Sequence, residues 1–227
     1  MDKRLKIKEQ LLTIIESQKS YGQIQRSSPI TDVKINPKTK QNIESLTESL
    51  EALNPNLYPL LYCPQLLDGV WQLNYATAGE IRRLSSLKYG LQVGAVYQVI
   101  DLKSQSFFNQ AFVTHNFGLI SGYVLVTAVF EAAKDNSSPL PNQTLNINFK
   151  KRYLSIQKIA QINTPNLDPF KIVPANNPRQ RVPSFKITYL DEDLRIGRGG
   201  DGGLYILSKS PNNTAIQDYY RFIKTNN

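Results

Sequence analysis

The feature that most restricts this chain is a change of hydrophobic period. Before residue 60 apolar residues recur at helical spacing; from Gly69 onward they recur at every second position. Gly69–Tyr75 sets Trp71, Leu73 and Tyr75 against Val70, Gln72 and Asn74, and Thr144–Lys150 sets Leu145, Ile147 and Phe149 against Asn146, Asn148 and Lys150. Further strand candidates are 93–102, 106–114, 122–132, 185–190, 193–198 and 203–209, most of them rich in Val, Ile, Tyr and Phe. About eight short strands with no helix between them predict an antiparallel meander. A sheet of that size needs a second layer or must close on itself; closure removes its edges and leaves an interior for packed side chains or one small ligand.

The first 60 residues read differently. Leu5, Leu11, Leu12, Ile14 and Ile15 share one side of a helix, and Ile43, Leu46, Leu50 and Leu53 share one side of a second. Asn36-Pro37 is a start signal for that second helix and Asn54-Pro55 stops it. The expected fold is mainly β with N-terminal helices (α+β): a lipocalin-like antiparallel β-barrel of about eight strands. The expected division is 1–60 as a helical segment packed on the barrel, 61–210 as the barrel and 211–227 as a tail. The stretch 163–183 holds Pro165, Pro169, Pro174, Pro178 and Pro183 and predicts a long loop at the barrel mouth.

Chemistry-bearing residues are few. One cysteine, Cys63, and one histidine, His115, preclude an internal disulfide, a cysteine-based zinc site and a two-histidine metal site. Neither a metal nor a cofactor is expected, and no catalytic residue is assigned. The glycine run 197–203 lacks the Lys-Ser/Thr and the following helix of a phosphate loop. The longest apolar run, Tyr123–Phe130, is far short of the ~20 residues a membrane-spanning helix needs. Net charge is +9, concentrated in residues 146–227, where Lys150, Lys151, Arg152, Lys158, Lys171, Arg179, Arg181 and Lys186 fall. That basic last third suits an anionic membrane surface. A nucleic-acid partner is disfavoured, because the central third is neutral and no RNA-binding motif is present.

Gly69-Val70-Trp71 opens the first barrel strand: the glycine permits a tight turn and the indole can plug one barrel end. A late arginine, Arg195 or else Arg198, would return beside that strand and stack on the ring. This arrangement resembles the calycins, which include the lipocalins. Three stretches carry a closer likeness: Asn54-Pro55 followed by Leu66–Thr77; the strands around Gly94–Leu102; and Ile187–Gly199, with its Asp191-Glu192-Asp193 turn and Arg195-Ile196-Gly197-Arg198-Gly199 tail. Over residues 5–210 the sequence resembles the plastid lipid-associated proteins, also called PAP or fibrillins, of plastids and cyanobacteria. The likeness assigns Asp68, Gly69, Trp71, Tyr75, Asp191, Asp193, Arg195, Gly197, Arg198 and Gly199 mainly architectural roles. It implies a barrel that binds a hydrophobic small molecule (lipid, isoprenoid quinone or carotenoid) without catalysis, in a structural or photoprotective role. The alternative it leaves is an enzyme or accessory subunit of prenylquinone or lipid metabolism. With no transit peptide in view, the expected location is the cyanobacterial cytoplasm or thylakoid periphery, or plastid stroma, thylakoid or plastoglobule in a plant. Alternation selects Leu73, Tyr75, Val99, Phe112, Val126, Phe130, Ile147 and Phe149 as the expected ligand contacts, joined by Trp71 and Arg195 from the barrel-end motif; a shift of strand phase by one residue would invert the alternating set.

Overall fold

The computed structural model describes residues 2–20, 27–133, 143–175 and 182–211. The helices are α1 (Lys3–Ser20), α2 (Pro37–Glu51), α3 (Pro59–Tyr62) and α4 (Gly79–Leu84). The strands are β1 (Ile30–Thr31), β2 (Gly69–Ala76), β3 (Leu91–Asp101), β4 (Ser106–His115), β5 (Ile120–Ala132), β6 (Thr144–Ile159), β7 (Ile162–Asn163), β8 (Lys171–Pro174), β9 (Ser184–Leu190), β10 (Leu194–Gly199) and β11 (Leu204–Lys209). Eight of them pair in the order β2-β3-β4-β5-β6-β9-β10-β11, and β11 returns to β2, closing an antiparallel barrel. The closing seam is short: β6 meets β9 only from Thr144↔Lys186 to Asn146↔Ser184. Further along, β6 pairs with β8 and β7 instead. The proline-rich stretch expected to be all loop therefore contributes β8, which satisfies the edge of β6. Pro178, Arg179 and Arg181, and the tail from 212, lie outside the described residues.

One cluster gathers side chains from β2, β3, β4, β5, β6, β9 and β11, including Trp71, Leu73, Val96, Ile100, Phe107, Ala128, Leu145, Ile187 and Leu207. Only an inward face brings so many strands to one place. A second cluster lies outside the barrel, where α1 and α2 press Leu11, Ile15, Ile43 and Leu50 onto Tyr75, Tyr189, Ile196 and Ile206. A third joins Val70, Val99, Phe108, Tyr123, Leu125 and Tyr153 on the outward face of β2 to β6.

Bulges decide which residue belongs to which cluster. In β2, Leu73 faces Leu207 and Tyr75 faces Ile206, so Asn74 is an extra residue and the phase inverts across it. In β9, Ile187 pairs with Gly197 and Tyr189 with Ile196, making Thr188 the extra residue. The bulge frees backbone groups that Asn54 takes up: its Nδ2 donates to the Thr188 carbonyl at 3.0 Å and its Oδ1 accepts from the Leu190 N–H at 3.2 Å. Asn54, three residues past the end of α2, thus pins the helical segment to the barrel.

The helices are held at two further points. Asn36 caps α2 by accepting from the Thr39 N–H at 2.9 Å. On β10, Arg198 donates to Glu51 at 2.9 Å and Glu44 at 2.8 Å, both on α2. On α1, Lys8 Nζ donates to Asp191 at 2.8 Å and also reaches Asp193. Burial raises the Asp191 carboxyl pKa, but hydrogen bonds from Lys8 and Tyr189 outweigh it and bring the value from 3.8 to about 2. A folded pKa below the unfolded one stabilises the fold above the unfolded value, and the contribution is lost as pH falls through the folded one. Lys8→Met should therefore lower the urea midpoint at neutral pH, and the gap from the parent should narrow between about pH 4 and pH 2. A gap that stays constant over that window contradicts this role for the Lys8–Asp191 pair.

Candidate functional site: the barrel interior

Residues paired across neighbouring strands share a face, so Trp71, Gln98, Asn109 and Val126, paired in succession, all face inward. At the end where β2 begins, the interior is solid. Trp71 is 0% exposed and its Nε1 donates to the Leu67 carbonyl at 2.8 Å. Two cations lie against its ring, with the Arg195 guanidinium carbon 4.9 Å and Lys209 Nζ 4.4 Å from the centroid. Arg195 is 2% exposed and forms no ion pair among the described residues. Burial lowers its pKa from the ordinary guanidinium value to about 9, which leaves it charged at neutral pH. Burial, then the charge of Arg195, likewise lowers the Lys209 pKa.

The Arg195 guanidinium donates to Gln98 Oε1, and Gln98 Nε2 donates to Asn109 Oδ1 at 2.9 Å. This polar track climbs the inner wall from the plugged end. Beyond it the inward positions are mostly small or aliphatic, namely Val96, Ala111, Val93, Val113, Gly122, Val124, Val126, Leu154 and Ile156, with the exposed Arg152, paired to Val126, on the same face. Several positions along this path are less buried than Trp71, although Gly122 among them is buried and Phe130, Ile147 and Phe149 by the core are also only partly buried. Ala128 is 1% exposed, Val96 and Ala111 are 6%, Val93 is 9%, and Val113, Val124, Val126 and Leu154 are only half-buried. The interior is therefore a packed core in one half; the other half, the cup, is lined by partly buried side chains. A guanidinium and two amides can position a ligand by hydrogen bonds; at neutral pH they do not exchange protons as a catalytic acid and base would.

The expected contacts divide accordingly. Trp71, Leu73, Phe130, Ile147 and Phe149 belong to or pack against the inward cluster, with Arg195 buried among them, while Val126 lies in the cup half. Tyr75, Val99 and Phe112 are not inside. Tyr75 is turned out by the bulge at Asn74 and lies under the helices, and Val99 and Phe112 join the outward cluster of β2 to β6. Alternation alone missed Gln98 and Asn109, because both faces of β3 and β4 are buried and the polar residues are the ones facing in. The pairing of Gln98 with Trp71 is the signal that places them. Two surface clefts lie outside the barrel: one between α1 and α2 beside Thr13, Asn42 and Leu46, the other beside Asn74 and Ser208.

A closed eight-stranded antiparallel barrel, plugged at one end by a tryptophan and an arginine, is lipocalin-like. The PAP_fibrillin family profile matches residues 28–208, and the chain belongs to that family. It is 31% identical over 200 residues to plastid lipid-associated protein 3, chloroplastic, of Brassica campestris, covering 75% of this chain and 54% of that protein. It is 30% identical over 203 residues to plastoglobulin-1, chloroplastic, of Pisum sativum, with the same coverage of 75% and 54%. A probable plastid-lipid-associated protein 3, chloroplastic, of Arabidopsis thaliana is 28% identical over 204 residues, covering 78% of this chain and 53% of that protein. The chain spans about half the length of these relatives.

Proposed function

We propose that the cup half of the barrel holds the apolar part of a small amphipathic molecule, and that the protein carries it at a membrane or lipid surface without catalysis. The observation that supports this most is the contrast on the inward face between the fully buried Trp71 and the partly buried apolar side chains Val113, Val124, Val126 and Leu154. Burying a hydrocarbon chain there would contribute ~25 cal/mol per Å² of apolar area removed from water, less the cost of immobilising it. The Asn109–Gln98–Arg195 track offers hydrogen bonds at the depth a headgroup or quinone carbonyl would reach. The names of the relatives support lipid as the chemical class and the chloroplast as the setting; a thylakoid, plastoglobule or cyanobacterial membrane surface is part of the proposal. Isoprenoid quinones, carotenoids and acyl lipids all meet the chemical requirement, and a photoprotective role follows if the cargo is a pigment or quinone. The basic last third would meet anionic lipid: Lys150, Lys151, Arg152 and Lys158 lie on β6, with Lys171 on β8 beside them.

A titration with cis-parinaric acid in vesicle-free buffer tests this reading. Val124→Glu places a charge on the inward face and should weaken binding about ten-fold or more. Val129→Glu, on the outward-phased and partly exposed side of the same strand, should leave it unchanged. Equal affinity in both variants would exclude the cup as the binding place.

A further inference from the structure

The barrel end opposite Trp71 carries an apolar rim that the lipid-carrier reading does not use. Three turns lie side by side there. The Asn116 N–H donates to the Gly90 carbonyl at 2.8 Å, joining the turn before β3 to the β4–β5 hairpin. The Ala160 N–H donates to the Leu119 carbonyl at 2.8 Å, joining that hairpin to the β6–β7 turn. From these turns Tyr89, Phe117 and Ile162 project with 89%, 83% and 70% of their surface in water, accompanied by the exposed Leu119, Ile120 and Ile159. Single exposed apolar residues are ordinary, but a contiguous set with two aromatics on adjoining hairpin tips marks a binding surface.

The charges around the rim choose the partner. Residues 81–100, 106–130 and 144–167, which form these strands and turns, contain no Asp or Glu, although Glu80 and Asp168 border them and Asp32 pairs with Arg82 at 2.7 Å; their remaining cations include Arg83, Lys88, Lys150, Lys151 and Lys158. Lys88 and Lys158 are exposed next to the apolar tips. In β8, beside β6, Lys171 extends the basic stripe, and the nearby acid, Asp168, accepts a hydrogen bond from the Tyr123 hydroxyl at 2.5 Å. Apolar and aromatic tips flanked by Lys88 and Lys158 match the two layers of an anionic bilayer, whose acyl region takes the tips and whose headgroups take the cations. A protein partner would have to present a matching apolar pocket ringed by acid, whereas an anionic lipid surface presents both features by its nature.

We infer that the turns around Tyr89, Phe117 and Ile162 insert into an anionic bilayer, seating the barrel with its cup toward the lipid. The inference shares the membrane setting of the proposed function but stands apart from the cargo. Cargo then exchanges between bilayer and barrel without crossing water.

The test is flotation of the whole chain with vesicles of phosphatidylcholine alone and of mixed phosphatidylcholine and phosphatidylglycerol. The parent should float with the mixed vesicles and be released by salt. The triple variant Y89S/F117S/I162S should partition about ten-fold less. L57S/Y62S, which removes exposed apolar residues near the plugged end, should match the parent. Phe117→Trp should shift to bluer emission on mixed vesicles only, against the constant background of buried Trp71. Parent-like flotation of the triple variant, or no emission shift while Phe117→Trp floats, overturns the rim as the docking element. Light scattering that finds a dimer in the parent and a monomer in the triple variant assigns the rim to a contact between copies and also overturns it. The parinaric acid titration is made without vesicles, so failure of cargo binding and failure of docking are read separately.

Discussion

Trp71→Ala should lower the unfolding free energy by about 3–5 kcal/mol, the range for deleting a buried Trp or Phe side chain. The ring fills the sealed end of the barrel at 0% exposure, so no solvent-facing relaxation can close the gap. The deletion also leaves Arg195 and Lys209 without the π face they lie against, and both cations remain in a poorly hydrated place. Against a typical total of about 5–15 kcal/mol, that loss leaves a marginal fold. Trp71→Phe keeps an aromatic face and most of the volume, and should cost clearly less. Urea melts of the three proteins check this; equal stability of the parent and Trp71→Ala would show that the indole is not the plug.

Gly122→Ala should be nearly as damaging, for a backbone reason. Gly122 stands at a bulge where β5 pairs with β6, and a Cβ on it would overlap the Ser155 carbonyl oxygen and crowd the Ile156 Cα. Neither atom belongs to a flexible side chain, so the two longest strands of the barrel must separate. The expected loss is about 3 kcal/mol or more, at or above the top of the overpacking range. Gly79→Ala is the matched control: nothing lies within 4 Å of its Cβ position and it begins α4, so the substitution should be neutral or slightly stabilising. Thermal melts that move equally for both variants would contradict this account of Gly122.

The strands were legible because a period of two over eight segments admits few folds, and the turns between them are marked by Gly, Asn and Asp. The pairing of Trp71 with Arg195 was legible too, since the plug needs one residue from the first strand and one from a late strand. Side-chain direction was less so. Tyr75 follows Trp71 and Leu73 in perfect alternation, yet one inserted residue, Asn74, sends it to the helices. Val99 and Phe112 look like lining because they are apolar, but the outward face of β3 and β4 is also covered, and burial on both faces erases the polar–apolar contrast that sets phase. Gln98 and Asn109 look like surface residues for the same reason. Asn54 reads locally as a helix stop; its bonds to Thr188 and Leu190, more than a hundred residues away, depend on a bulge that no local pattern announces.

The central claim is that an apolar molecule occupies the cup between the Gln98–Asn109 pair and the rim. Its most direct test is organic extraction and mass spectrometry of the protein purified from a photosynthetic host, run beside Val124→Glu. The account predicts one class of amphipathic hydrocarbon in near-stoichiometric amount with the parent and little with the variant. No co-purifying molecule, or the same amount with both proteins, would contradict it.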